Sequence, residues 1–294
     1  MGIKDIYEKK YKLLLLIPII LLVLAISQIS YQQATTGSFL IKDISLRGGL
    51  TLTIFSDAPV NTDDLQRDLS VAFPSDDFSV RTLEENGLQT GIIIDSTTDS
   101  ENVDNLILSL ESKFGKIPED KYTIDLIGSS LGESFFKETI TALLFAFLLM
   151  GLVVFIYFRV PIPSMAVILS AVSDILVTLA IINILGIKIS TAGIAAFLML
   201  IGYSVDTDIL LSTHVLKRHG KLMERIYRAL KTGLTTTATT IVAISIAFFF
   251  SKSAIIKEIM LIVLIGLGID LINTWIQNVG ILRIYLERVK GEKA

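Results

Sequence analysis

The stretch YKLLLLIPIILLVLAISQIS, Tyr11 to Ser30, stays apolar for the length that a bilayer demands of a helix. Comparable runs return at 139–158, 160–183, 189–212, 234–250 and 255–280. Six such runs point to a polytopic α-helical membrane protein, because a helix satisfies its own backbone polar groups inside lipid. Composition agrees: 52% of the 294 residues are hydrophobic and only 19% are charged, less charge than a soluble domain of this size carries. The mean hydropathy is +0.66. The first run reads as a retained helix, since SQISYQQATTGS offers no small-x-small cleavage pattern. The 139–183 block divides at YFRVPIPS, where an arginine and two prolines interrupt it.

Lysine and arginine set the orientation. Residues 1–12 carry Lys4, Lys9, Lys10 and Lys12, the 213–233 loop carries Lys217, Arg218, Lys221, Arg225, Arg228 and Lys231, and the 281–294 tail carries Arg283, Arg288, Lys290 and Lys293. With spans at 13–30, 139–158, 160–183, 189–212, 234–250 and 255–280, all three basic segments fall on one side. That side is expected to be the cytoplasm, with both termini there and the chain in the cytoplasmic membrane. The 31–138 segment, with 19 acidic and 8 basic residues, falls outside.

This outer segment has the pattern of a small α/β domain. GGLTLTIFS reads as a strand and NTDDLQRDLSVAF as a capped helix with Leu65, Leu69 and Ala72 on one face. FSVRTLEENGLQTGIIID reads as a hairpin turning at Asn86-Gly87. SENVDNLILSLESKFG is a helix closed by glycine, and KYTIDLIG is a last strand. The order strand, helix, strand, strand, helix, strand predicts a ferredoxin-like domain between the first and second spans.

Several chemistries are excluded or poorly supported. The chain has no cysteine, hence no disulfide and no thiol nucleophile. His214 and His219 lack a third ligand nearby, so no metal is expected. Gly48 and Gly49 in SLRGGLTL belong to no GxGxxG or Walker pattern and read as a tight bend into the first strand. No nucleophile and base pair up in the outer domain, which has no histidine. The chain is not expected to be an enzyme, to carry a cofactor or to bind nucleic acid.

The informative residues are the acids inside the spans: Asp174 in AVSDILVTLA, Asp206 and Asp208 in IGYSVDTDILL, and Asp270 in GLGIDLINTW. A charged group at such depth costs about 3 kcal/mol on insertion scales, and a neutral acid costs much less. Such groups persist when paired, when they face water, or when they carry a proton. Residues two apart on a helix point in nearly opposite directions. Asp206 therefore shares a face with Gly202, Tyr203, Leu210 and Thr213, and Asp208 with Ile201, Ser204 and Ser212. Gly202 and Tyr203, one turn above Asp206, favour Asp206 for the functional path. The bland alternative is that these aspartates, with Asn183, Asn273 and Asn278, only fasten helices together. Gly202, Gly266 and Gly268 are expected to let helices pack closely, and Trp275 to anchor at the membrane interface. The basic stretch 216–233 suits an anionic inner leaflet or a cytoplasmic partner.

One span, an α/β domain and five further spans resemble the SecF branch of the SecD/SecF family of protein-export membrane proteins. IGYSVDTDILLSTHVLKR resembles that family's fourth-span signature in its archaeal form, RALKTGLTTTATT resembles the start of its fifth span, and ISLRGGLTLTI resembles the glycine pair opening its external domain. The resemblance implies an accessory subunit of the Sec translocase. Its implied partners are SecD, a SecY-type channel and the emerging preprotein, and its implied architecture is half of a transporter of the resistance-nodulation-division superfamily, driven by the proton gradient. Bacterial members read Gly-Tyr-Ser-x-Asn-Asp-Thr where this chain reads Gly202-Tyr203-Ser204-Val205-Asp206-Thr207-Asp208. The bacterial coupling aspartate thus falls on Thr207, between two aspartates, and the bacterial fifth-span arginine on Arg228. Asp174 and Asp270 receive no role from the resemblance. Two other readings stand beside this one: a passive scaffold joining SecD to the channel, and a free-standing small-molecule exporter.

Overall fold

A computed structural model describes residues 7–56, 60–85, 88–98, 102–251, 253–289 and 291. Lys4, Lys252, Lys290, Lys293 and the Asn86-Gly87 turn lie outside the described residues. In chain order the elements are α1 (Leu16–Thr36), β1 (Gly49–Phe55), α2 (Thr62–Ala72), β2 (Phe78–Glu85), β3 (Leu88–Ser96), α3 (Val103–Phe114), β4 (Tyr122–Ile127), α4 (Ser129–Phe158), α5 (Pro161–Ile184), α6 (Thr191–Lys217), α7 (Leu222–Phe250), α8 (Ala254–Ile272) and α9 (Val279–Val289). A one-turn helix, Tyr11–Leu14, precedes α1, and a π-helical segment, Asn273–Asn278, joins α8 to α9. The chain forms two compact units, residues 42–140 and residues 1–41 with 141–294.

In the first unit the sheet order is β2-β3-β1-β4, with every neighbouring pair antiparallel. This is the strand arrangement expected from the sequence pattern. Alternation along β1 turns Leu50, Leu52 and Ile54 inward. They join Ile92 and Ile94 of β3, and Leu65, Leu69, Leu106 and Leu110 from α2 and α3. The Asn61 side chain starts α2 by accepting from the backbone N–H groups of Asp63 and Asp64. Gly48 and Gly49 have φ of 83° and 146°, a region that side chains disfavour. A Cβ on Gly49 would strike the Ser96 carbonyl of the adjoining strand. On the other sheet face Arg81 pairs with Asp95, which also accepts from Thr51 Oγ1 at 2.8 Å.

Among the described residues five helices are long and apolar enough to cross a membrane: Tyr11–Thr36, Leu131–Phe158, Pro161–Ile184, Thr191–Lys217 and Leu222–Phe250. The sixth expected span, 255–280, is not among them. Its helix stops being regular at Ile272, and within α8 it carries Lys257, Glu258 and Asp270. The helices also overrun the expected loop at 213–233: α6 ends at Lys217 and α7 begins at Leu222, so the connection is 218–221. Outward-facing Val23 and Leu24 on α1, Leu148 and Leu149 on α4, and Ile246 and Phe249 on α7 form the apolar exterior that lipid requires. α5 and α6 are the inner helices, with about half or more of their central residues buried (61% and 50%).

Two glycines set helix distances in the second unit. Gly266 lies against Leu200, and Gly233 lies against the Trp275 ring, where a Cβ would collide. Trp275 is therefore a core residue, 5% exposed, and not the interfacial anchor that its aromatic character suggests. Gly202 and Gly268 meet nothing within 4 Å, so the close packing expected of them is not made within this chain.

Candidate functional site

α6 and α8 run side by side in the same direction from a shared starting point. Ser190 caps α6 by accepting from the N–H groups of Ala192 and Gly193. Its own N–H and hydroxyl donate to Glu258 Oε1 and Oε2, at 2.9 and 2.8 Å. Glu258 thus has a structural use at the edge of the apolar zone, which explains a charge there. The tie pairs residues 68 apart (258 − 190); further along, Leu200 meets Gly266 and Asp208 meets Thr274, both 66 apart (266 − 200 and 274 − 208). Parallel helices of equal pitch keep such an offset over many turns.

That register gathers three aspartates. Asp174 of α5, Asp208 of α6 and Asp270 of α8 are all fully buried. Asp174 is saturated: Oδ2 accepts from Ser204 Oγ at 2.5 Å and Oδ1 from Asn273 Nδ2 at 2.7 Å. Asp208 Oδ1 accepts from Asn278 Nδ2 at 2.7 Å and faces Thr274 Oγ1 at 2.9 Å. The same Thr274 oxygen is 3.0 Å from Asp270 Oδ1. Asp208 Oδ2 and Asp270 Oδ2 are buried and find no hydrogen-bond partner among the described residues.

The π-helical segment carries the donors of this constellation. In an α-helix Asn278 would point about 140° away from Asn273, five steps of 100°, with Thr274 between them on the same side. The wider π turn narrows that angle, and all three residues face the acids. One wide turn supplies donors to Asp174 and Asp208 together.

The other expected residues stand elsewhere. Asp206 is exposed on the far side of α6. It lines a 220 Å³ crevice with Tyr203, Thr207, Thr236, Thr237 and Thr240, next to α7. The Thr207 hydroxyl donates to the Tyr203 carbonyl at 3.1 Å. Arg228 is exposed and 3.7 Å from Glu224, one turn earlier on α7. The structure thus brings Asp174, Asp208, Asp270 and Ser204 together and leaves Asp206, Thr207 and Arg228 outside that group. Gly48 and Gly49 belong to the other unit.

Two buried arginines escaped the sequence reading. Arg225 donates from Nη1 to the Val215 carbonyl at 2.8 Å, where the end of α6 lacks donors. Arg283, 1% exposed, donates to the Tyr7 and Glu8 carbonyls at 3.2 and 3.0 Å and stacks over the Tyr11 ring at 3.8 Å. The positive-charge rule places both in cytoplasmic segments, and nothing in their spacing marks them as buried. Tyr7 also donates to the Trp275 carbonyl at 2.9 Å, tying the N-terminal segment to the π turn.

This fold and this site define a polytopic helical membrane protein with an acidic core and an α/β domain between its first two spans. The family model "Protein export membrane protein SecD/SecF, C-terminal" matches residues 109–288. The protein-export membrane protein SecF of Pyrococcus furiosus is 35% identical over 292 residues, covering 99% of this chain and 96% of the relative. That of Methanocaldococcus jannaschii is 39% identical over 293 residues, covering 97% and 99%. The chain belongs to the SecD/SecF family of protein-export membrane proteins. Among solved structures, SecDF of Thermus thermophilus, a translocon-associated membrane protein, superposes with a TM-score of 0.72 at 19% identity. That match covers 98% of this chain and 40% of the solved one, so this chain spans less than half of that protein.

Ser204→Ala should lower the stability of the detergent-solubilised protein by about 1–3 kcal/mol, because a buried carboxyl oxygen loses its donor. Asp206→Ala, on the open face, should stay within about 0.5 kcal/mol. Thermal unfolding of the two variants reads the difference, and equal effects would contradict the placement of these residues.

Proposed function

We propose that this chain is a SecF-type subunit that acts with SecD on the outer side of a SecY-type channel, promoting polypeptide export with energy from the proton gradient. The observation that carries the reading is the acidic core. Carboxyl groups at span depth cost several kcal/mol, and three of them share one interior. Family membership and the 0.72 superposition on SecDF support the assembly with SecD.

In this reading 255–280 crosses the membrane as the sixth span despite its π turn, both termini are cytoplasmic, and residues 31–138 lie outside. The α/β domain then meets the emerging preprotein. It has an apolar cleft of 680 Å³ lined by Phe55, Val60, Phe114 and Ile117 among others, which suits an unfolded chain. The open face of α6 and α7, with Asp206, Thr207 and the threonines of GLTTTATT, is the face offered to SecD. The hydroxyls of Thr207, Thr236 and Thr240 are satisfied within their own helices, but an exposed carboxyl beside them is unfavourable against lipid and favourable against a partner helix. Arg228 extends this face, and Lys217, held 3.8 Å over the Tyr157 ring, adds positive charge where anionic lipid would sit.

The scaffold reading keeps one specific support. Asp174 has both oxygens saturated by donors from two other elements, as a purely fastening residue would. A free-standing exporter fits poorly, since this chain matches only 40% of the solved SecDF chain.

Asp206→Asn should reduce secretion in cells while SecD still co-purifies. Unchanged secretion in both Asp206→Asn and Asp208→Asn would favour the scaffold. For orientation, protease added to right-side-out vesicles should cut within 31–138. Resistance there, with cleavage in inverted vesicles, would overturn the topology.

A further inference from the structure

We propose that Asp208 and Asp270 hold one exchangeable proton between them through the Thr274 hydroxyl, forming a proton-binding site inside this chain and separate from the Asp206 face. The proposal deepens the proton-driven reading and rests on it for its use, though not for its existence.

Thr274 Oγ1 lies within hydrogen-bond distance of Asp208 Oδ1 and Asp270 Oδ1, at 2.9 and 3.0 Å. A hydroxyl has one hydrogen and can donate to only one of two carboxyls. The other contact is a hydrogen bond only if that carboxyl carries a proton and donates it. Asp208 Oδ1 already accepts from Asn278 Nδ2 at 2.7 Å, the pattern of an oxygen that carries no hydrogen. Thr274 therefore donates to Asp208, and Asp270 holds the proton and donates to Thr274.

Among the described residues no cation faces the pair, and Asp174 is the third carboxyl beside it. The groups facing the pair are Asp174 and Ser170 from α5, Ser204 from α6, and Asn273 and Asn278 from the π segment. Among the described residues no lysine, arginine or histidine bonds to the three aspartates. Arg225 and Arg283, the buried cations nearest in sequence to α6 and the π segment, are spent on backbone carbonyls of other segments. The unpartnered Asp208 Oδ2 and Asp270 Oδ2 leave room in the hydrogen-bond pattern for a proton to arrive and depart. Asp174, fully satisfied, acts as the fixed member that positions Asn273 and hence the π turn.

Transfer across the pair balances without a further reactant. The O–H bond at Asp270 breaks and one forms at Thr274. The original Thr274 O–H breaks and one forms at Asp208. The hydroxyl is regenerated, and the negative charge has moved from Asp208 to Asp270.

Infrared spectroscopy of the purified full chain in lipid vesicles at neutral pH tests the proposal. Wild type should show a carboxylic-acid C=O band from a buried aspartic acid. Asp270→Asn, close in shape and still able to donate to Thr274, should abolish it. Thr274→Val should shift it and Thr274→Ser should preserve it, while Asp206→Asn leaves it in place. Absence of the band in wild type, its loss in Asp174→Asn in place of Asp270→Asn, or indifference to Thr274→Val would overturn the proposal. Because the spectrum needs no export, a band that behaves as stated in a chain that ignores the proton gradient would refute the functional reading and leave the site standing.

Discussion

A carboxyl group taken into the interior of a membrane bundle needs hydrogen-bond donors, a proton, or a proton shared with a neighbouring carboxyl. Three such groups in one bundle constrain every helix that touches them. α5 brings Asp174, α6 brings Asp208 and Ser204, α8 brings Asp270, and the π turn brings Asn273, Thr274 and Asn278. Moving any of these elements by one residue would strand a buried polar atom. The glycine contacts under Leu200 and Trp275, and the Ser190–Glu258 tie at the other end of α6, keep the register that this arrangement requires.

The same constraint ties the core to the edge of the bundle. The Tyr7 hydroxyl holds the Trp275 carbonyl inside the π turn, and Arg283 just beyond it holds the Tyr7 and Glu8 carbonyls. A change in the shape of the π turn therefore reaches the N-terminal segment through two residues. The proposed proton site and the N-terminal segment thus share the π turn as a common neighbour.

Much of the fold was legible because it follows from simple periods. The strand and helix order of the α/β domain follows from alternation and turn residues, and it returns as the β2-β3-β1-β4 sheet. The opposite facing of Asp206 and Asp208 follows from the helical repeat, and the structure places one in the crevice and the other in the core. What was not legible depends on contacts between distant segments. The choice between those two aspartates turns on α8 lying against α6 at an offset of 66 residues, which no local pattern encodes. Asn273 and Asn278 fasten helices together, as their polarity inside a span suggests, but that their partners are Asp174 and Asp208 depends on contacts between distant segments. Trp275 was misplaced for a related reason: residue type suggests the interface, and tertiary packing buries it, as it also buries Arg225 and Arg283.

The most direct test of the account is polypeptide translocation in vesicles that contain this chain with SecD and the channel, measured with and without an imposed proton gradient. The gradient should speed translocation in wild type and have no effect in Asp270→Asn. Equal stimulation of the two would show that the buried acids only hold the helices in place.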